Sequence, residues 1–415
     1  MDRIRSFGRH TFASLSIRNY RTYFMAQAVS MAGTWMQVVA QALLVLDLTD
    51  SGIALGAVIA LQNVPILLFG PWGGVIADRY QKRSILYVTQ SASGLISLMT
   101  SILVFTDTIQ LWMVFAIAMT LGFVKVFDNP TQQVFVREMV GRDHLGNAVS
   151  LNATEQNIAR AIGPAIAGVF AATVGLGACF AFDSISYIVV IFALTRIRTD
   201  ELFPAQRVAA AKGQLKEGLA YVRSQPVLIT LLVMMGLVGM LTYEFSVILP
   251  LLAEHTFDAG SSGYAALTGA MGVGSVVGGL YAASHRQGSM FRLSKIALGF
   301  GLAVVLASTA PRLIFAVAAM LIVGFFSINF QSVGNVSLQL ASRSDMQGRV
   351  MGLYTVAFLG TTPIGGPIQG FISQISSPRW SLVIGGITAM TAAAIGYLVS
   401  RAHQNAPVQE PAAAD

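Results

Sequence analysis

Charge is scarce in this sequence. Of 415 residues only 11% are Asp, Glu, Lys or Arg, while 54% are apolar and the mean hydropathy is +0.66. A soluble domain carries about a quarter charged residues, so this chain lacks the polar material to coat a water-facing surface. Cysteine is nearly missing: Cys179 alone excludes an intramolecular disulfide and a cysteine metal cluster. The histidines, His10, His144, His255, His285 and His403, lie in or beside hydrophilic connections, so no buried histidine metal site is expected. No G-x-x-x-x-G-K-[ST] phosphate loop occurs, which excludes an ATPase within the chain. Neither a cofactor nor an enzymatic activity is called for.

What is present is a series of long apolar blocks, each sufficient for the roughly 20 residues that cross a bilayer as a helix. The spans are expected at 23–46, 52–76, 84–105, 110–133, 150–172, 177–196, 227–252, 263–284, 293–309, 313–340, 349–373 and 380–400. The net charge of +7 is distributed as a topology signal rather than a nucleic-acid surface. With both termini cytoplasmic, the inner connections hold Arg3, Arg5, Arg9, Arg79, Lys82, Arg83, Arg137, Arg142, the basic 197–226 segment, Arg286, Arg292, Arg343 and Arg401. Only Arg312 and Arg379 fall on the other side, and Lys125 and Arg160 lie inside spans. The first apolar stretch is too long for a signal-peptide core and is expected to be retained. Phe12–Tyr20 is expected along the membrane surface, and the Pro/Ala-rich end from Ala402 as a disordered tail.

The two halves of the chain repeat each other. Gly122-Phe123 pairs with Gly324-Phe325, Asp143 with Asp345, Gly146 with Gly348, Leu151 with Leu353 and Ile162-Gly163 with Ile364-Gly365, all at one offset. Gly73-Gly74 likewise matches Gly278-Gly279. The expected organisation is a basic segment 1–22, a six-helix bundle 23–196, a cytoplasmic linker 197–226, a second six-helix bundle 227–400 and a tail 401–415. The fold class is therefore all-α, with twelve transmembrane helices in two pseudo-symmetric bundles and a substrate route between them.

Gly73-Gly74-Val75-Ile76-Ala77-Asp78-Arg79-Tyr80-Gln81-Lys82-Arg83 resembles motif A of the major facilitator superfamily. Ile162-Gly163-Pro164-Ala165-Ile166-Ala167-Gly168 is similar to the antiporter motif of its exporters. Asp128-Asn129-Pro130-Thr131-Gln132-Gln133, Asn147-Ala148-Val149-Ser150-Leu151-Asn152 and Gly348-Arg349-Val350-Met351-Gly352-Leu353 resemble the drug/proton antiporter branch that holds macrolide efflux proteins and the enterobactin exporter. The resemblance covers roughly residues 15–400 and implies the major facilitator fold. It also implies outward movement of amphipathic drugs or siderophores in a bacterial inner membrane, and a central cavity lined by spans 1, 4, 7 and 10. Two departures stand out. The arginine of the superfamily's motif B would fall at Ala118, and Ala283 and Ser284 replace the acidic and basic residues of motif A in the second half.

Motif A has its own physical rationale. Gly73 and Gly74 allow helices to approach closely, Asp78 can accept from a neighbouring helix N-terminus, and Arg79 can pair with a carboxylate, for which Asp128 qualifies. With Lys82 and Arg83 these residues are the expected cytoplasmic gate. Gly163, Pro164 and Gly168 are expected to loosen or seal span 5. Charges inside lipid cost about 2.5–3.5 kcal/mol each on insertion scales, which singles out Glu155, Arg160, Asp183 and Glu244 as proton-coupling candidates. Glu155 is the first choice, because a carboxyl in a low-dielectric cleft is readily neutralised, and Glu244 is the alternative. Five residues of helix set Glu155 and Arg160 about 140° apart, so each should look to another helix. Gln37, Gln41, Gln62, Asn63, Tyr243, Phe245, Asn329, Gln331 and Asn335 are candidate cavity residues, with interhelical hydrogen bonds as the competing role. Trp35 reads as packing.

The expected activity is secondary export of a small amphipathic molecule, such as a macrolide-like drug or a siderophore, exchanged for protons by a monomer in the bilayer. A lipid-moving protein without proton coupling and a non-transporting receptor are the alternatives.

Overall fold

The computed structural model describes residues 13–203, 214–284, 288–343, 346–358 and 360–404, and among them every regular element is helical. Helices α1 (Arg18–Thr49), α2 (Gly52–Arg79), α3 (Lys82–Phe105), α4 (Leu111–Thr173) and α5 (Leu176–Arg196) build the N-terminal half. Helix α6 (Gln214–Arg223) lies in the linker. The C-terminal half contains α7 (Pro226–Leu241), α8 (Phe245–His255), α9 (Gly260–Ser284), α10 (Met290–Ser308), α11 (Leu313–Ala341), α12 (Gln347–Phe358), α13 (Thr362–Ile375) and α14 (Pro378–Gln404). Ten stretches are long and apolar enough to cross a membrane. The remaining two spans expected from sequence, 150–172 and 349–373, fall on the part of α4 after Gly141 and on α12 together with α13.

The boundaries depart from the sequence expectation in three places. Spans 4 and 5 form one helical run, interrupted only at Gly141, whose φ of 68° and ψ of −172° suit glycine and turn the chain back. Span 7 divides at Thr242-Tyr243-Glu244 into α7 and α8, and span 11 divides after Phe358 into α12 and α13. Near the start, Ala13–Ser16 makes a single helical turn, and Arg18 already belongs to α1, so the surface segment is shorter than expected. The end from residue 405 and Asp345 of the repeat lie outside the described residues.

Local chemistry sets several ends. Ser51 caps α2 by accepting from the Ala54 amide at 3.2 Å, and Ser289 caps α10 by accepting from Arg292 at 3.2 Å. Pro226 opens α7, where its missing N–H costs nothing. Asp50 turns the chain out of α1 at a φ of 49°.

The packing repeats as the sequence does. In the first half α2 lies against α4 and α3 against α5; in the second, α9 lies against α11 and α10 against α14. The halves meet through α2 with α13 and α4 with α9. Loops 50–51, 256–259 and 376–377 share one face, called distal here because the described chain ends and linker lie at the other, terminal, face. At the distal face a Cβ on Gly56 would come within 2.6 Å of the Gly366 carbonyl, and Gly52 and Gly370 oppose each other in the same way. Gly168 faces Ala265 at a corresponding 2.7 Å. The hydrogen bonds that join the halves among the described residues lie here too. His255 Nε2 meets Asp50 Oδ1 at 2.7 Å, and Gln374 Oε1 accepts from Ser51 Oγ at 2.8 Å and the Ile53 amide at 3.0 Å. The molecule is closed at its distal face.

A side chain at Gly56 must push α13 away, and overpacking of this kind costs about 1–3 kcal/mol. Gly56→Leu is expected to slow disulfide cross-linking of a Ser51→Cys/Gln374→Cys pair by about fivefold or more. Gly70→Leu on the same helix should leave the rate unchanged, because its Cβ meets nothing within 4 Å.

Candidate functional site

Behind the closed face lies a cavity of about 140 Å³ with walls from both halves. Trp35 and Val39 of α1 and Arg160 of α4 contribute one side, and Tyr243, Phe245, Tyr264 and Thr268 the other. The Arg160 guanidinium stands over the Trp35 ring, 5.0 Å from its centroid, a cation–π contact. Gly163 explains why they meet: a Cβ there would collide with the Cβ of Trp35, so only glycine lets α1 come this close to α4. The two glycines of the antiporter motif thus act separately, Gly163 within the N-terminal half and Gly168 across to α9. Pro164 is buried beside Gly163.

The intramembrane charges are dispersed. Glu155 is buried with Oε1 lacking a hydrogen bond, and it lies within electrostatic reach of Tyr20 and Tyr23 at the start of α1. Asp183 is fully enclosed, accepts from Ser97 Oγ at 2.6 Å and packs beside Gly33. Glu244 is buried at the break between α7 and α8, where Gly365 and Gly366 of α13 leave room for its carboxylate and Thr362 hydrogen-bonds to it. The break is tied down by its neighbours. Thr242 Oγ1 donates to the Gly385 carbonyl at 2.7 Å, Tyr243 OH to Ser327 at 2.8 Å, and Gln369 to the freed Leu241 carbonyl.

The expected Arg79–Asp128 pair is not made in this state. Arg79 is exposed, whereas Asp128 is buried inside the bundle and accepts from Thr89 at 2.6 Å, Gln90 at 2.9 Å and Gln132 at 2.7 Å. Lys125 lies within electrostatic reach of both Asp128 and Asp183. Three hydrogen-bond donors therefore already surround the carboxylate that sequence offered to Arg79. The motif A loop instead holds α4 through Lys82 and Glu138, 3.5 Å apart, while Arg83 donates to Tyr87 OH at 3.1 Å and the Thr195 carbonyl at 3.4 Å. Gly73 packs directly on the Val126 carbonyl, whereas Gly74 has open space beside it. The Asp78 side chain lies outside what the structure describes.

Of the candidate cavity residues, Tyr243 and Phe245 line this cavity. Gln37 and Gln41 are buried along α1, and Gln41 Nε2 and Gln62 Nε2 lack hydrogen-bond partners. Asn63 donates to Ile59 on its own helix at 2.8 Å. Asn329 takes an interhelical role, donating to Gly278 of α9 at 3.1 Å. Gln331 and Asn335 hydrogen-bond with Tyr354. Trp35, Tyr264 and Thr268 line the cavity without having been singled out for it. Tyr264 and Thr268 are four residues apart on one helix face, a polar pair that could have been noticed; Trp35 carried no such mark.

Two pseudo-symmetric bundles that close over a shared cavity define a transporter of the major facilitator fold. The chain belongs to the transmembrane secretion effector family, whose model matches residues 9–413. It is 23% identical over 391 residues to the staphyloferrin A transporter of Staphylococcus aureus, covering 91% of this chain and 96% of that protein. It is 23% identical over 362 residues to the enterobactin exporter EntS of Escherichia coli, covering 86% of each. Among solved structures, the nucleoside transporter NupG superposes with a TM-score of 0.69 at 10% identity over 93% of this chain and 98% of that one. A bacterial homolog of the human lysosomal transporter Spinster gives 0.67 at 15% identity, over 92% and 98%. These structures establish the fold.

The Asp50–His255 contact spans the halves, but Asp50 is 79% exposed. Exposed ion pairs contribute about 0.2–1 kcal/mol. Asp50→Ala is therefore expected to change Ser51→Cys/Gln374→Cys cross-linking by less than about fivefold, well short of Gly56→Leu.

Proposed function

We propose that this protein exports a small amphipathic solute of the siderophore kind from the bacterial cytoplasm across the inner membrane, by alternating access and in exchange for protons. The observation that carries this reading is the cavity walled by both halves beneath cross-half hydrogen bonds that, among the described residues, lie at the distal face. The positive-inside pattern assigns that face to the exterior and both termini, with the 197–226 linker, to the cytoplasm. The cavity is then sealed from outside in this state, as the first stage of export requires. The names of the relatives, a staphyloferrin A transporter and an enterobactin exporter, supply the siderophore class. The bundles 23–196 and 227–400 would rock as units about the cavity within one monomer.

Proton exchange is supported by two buried carboxylates, one in each half. Glu155 and Glu244 each keep an oxygen without a hydrogen bond, and neither has an ion-pair partner among the described residues. A carboxyl so placed can be neutral in one state and charged in the other at modest cost. The driving force suffices: one charge moved across about 100 mV yields roughly 2.3 kcal/mol, which supports a gradient of about fiftyfold in a neutral solute. Glu155 is the preferred carrier, because it shares a helix with Arg160 in the cavity wall and a change in its charge acts on the same element.

The test is solute uptake into inverted membrane vesicles, where the export direction points inward, driven by an imposed acid-inside pH gradient. Glu155→Gln is expected to reduce gradient-driven transport at least tenfold while the protein remains in the membrane at normal abundance. Transport at the original rate would remove Glu155 as carrier, and the same measurement on Glu244→Gln then decides the alternative.

A further inference from the structure

We propose that Arg160 and Trp35 form an anion-binding subsite that selects solutes bearing a carboxylate or a catecholate and rejects cationic amphipaths. The inference rests on the export reading above and names the chemistry its cavity recognises.

Arginine stays charged at every physiological pH, and burial in a membrane costs several kcal/mol unless a counter-charge or hydrogen bonds compensate. Among the described residues no carboxylate provides that charge. The described ion pairs are Lys82–Glu138, Arg198–Glu201, His255–Asp50 and Arg349–Glu217, and none includes Arg160. Its Nε is buried and has no hydrogen-bond partner. The ring of Trp35 attracts the positive charge but accepts none of the guanidinium's in-plane hydrogen bonds. A fork of donors is thus held in place, at the wall of a cavity, with no acceptor for it among the described residues. A pair of anionic oxygens on a planar group matches that fork.

The rest of the wall agrees with this sign. Among the described residues that line the cavity, Arg160 is the sole charged one. Glu244, next to the cavity residues Tyr243 and Phe245 in the chain, lies against Gly365 and Gly366 and not in the cavity wall. Glu155 does not line the cavity either. A cationic drug entering here would meet a positive charge and no carboxylate. Facing Arg160 from the C-terminal half are Tyr243, Phe245 and Tyr264, with the Thr268 hydroxyl beside Tyr264. They suit the aromatic or hydroxyl-bearing body of the same solute. Such a solute contacts both halves at once, so its binding and release are tied to their relative position.

The experiment titrates purified full-length protein with 2,3-dihydroxybenzoate, citrate and tetraphenylphosphonium, read by tryptophan fluorescence and thermal unfolding. At least one of the two anions is expected to quench the wild type but not Trp35→Phe, and to bind at least tenfold more weakly to Arg160→Gln, with Arg160→Lys intermediate because an ammonium lacks the fork. Response to citrate alone identifies a carboxylate, to 2,3-dihydroxybenzoate alone a catecholate, and to both the shared chemistry. Equal anion affinity in a folded Arg160→Gln, failure of both anions to bind the wild type, or tighter binding of tetraphenylphosphonium would each overturn the subsite. If tetraphenylphosphonium were exported by wild type and Arg160→Gln alike, the export reading would stand and the anion subsite alone would fall. Wild-type vesicles that move none of the three probes nor an intact siderophore would count against export itself.

Discussion

Where Gly52 and Gly56 meet Gly370 and Gly366, two helices from opposite halves approach until the carbonyl of one fills the space that a Cβ would take on the other. In lipid no hydrophobic force drives helices together, and close packing of this kind is the main source of association. The cavity exists because the halves touch along this line and along Gly168 with Ala265, while the polar contacts above them, Asp50 with His255 and Ser51 with Gln374, are exposed and individually weak. The glycine contact fixes which face is shut, and with it which residues can face each other across the middle.

The second constraint is that polar groups inside a membrane must be satisfied by protein or line a cavity. Most of this chain obeys the first clause. Asp128 has three donors around it, Asp183 takes the Ser97 hydroxyl, Asn329 spans two helices, and the carbonyl freed at the α7–α8 break is taken by Gln369. Buried atoms without a partner remain on Glu155, Arg160 and Glu244, and also on Asp183, whose Oδ1 has none. Glu155, Arg160 and Glu244 differ from Asp183 in place, since they lie on or beside the elements that meet between the halves.

Much of this was legible before any coordinates. Long apolar blocks can cross a bilayer only as helices, and a glycine register shared by both halves reflects the paired packing of α2 with α4 and of α9 with α11. The breaks were hidden. Thr242-Tyr243-Glu244 contains neither proline nor glycine, and it is held open by Gln369, Gly385 and Ser327, residues distant in the chain. The continuous run of α4 escaped notice for the opposite reason, since only Gly141 interrupts it. For the site, spacing set Glu155 and Arg160 on different sides of one helix, and among the described residues no ion pair joins them. It could not say that Arg160 would lie on Trp35, because that contact depends on how near Gly163 lets another helix come. The Arg79–Asp128 pairing failed because burial of Asp128 is a tertiary fact.

The solitary Cys179 is wholly enclosed, its sulfur turned to the Ala167 carbonyl 3.8 Å away. The native molecule therefore presents a thiol-silent exterior. Spin labels or fluorophores attached at chosen positions on either vestibule would report opening and closing against a blank background, without first engineering a cysteine-free parent.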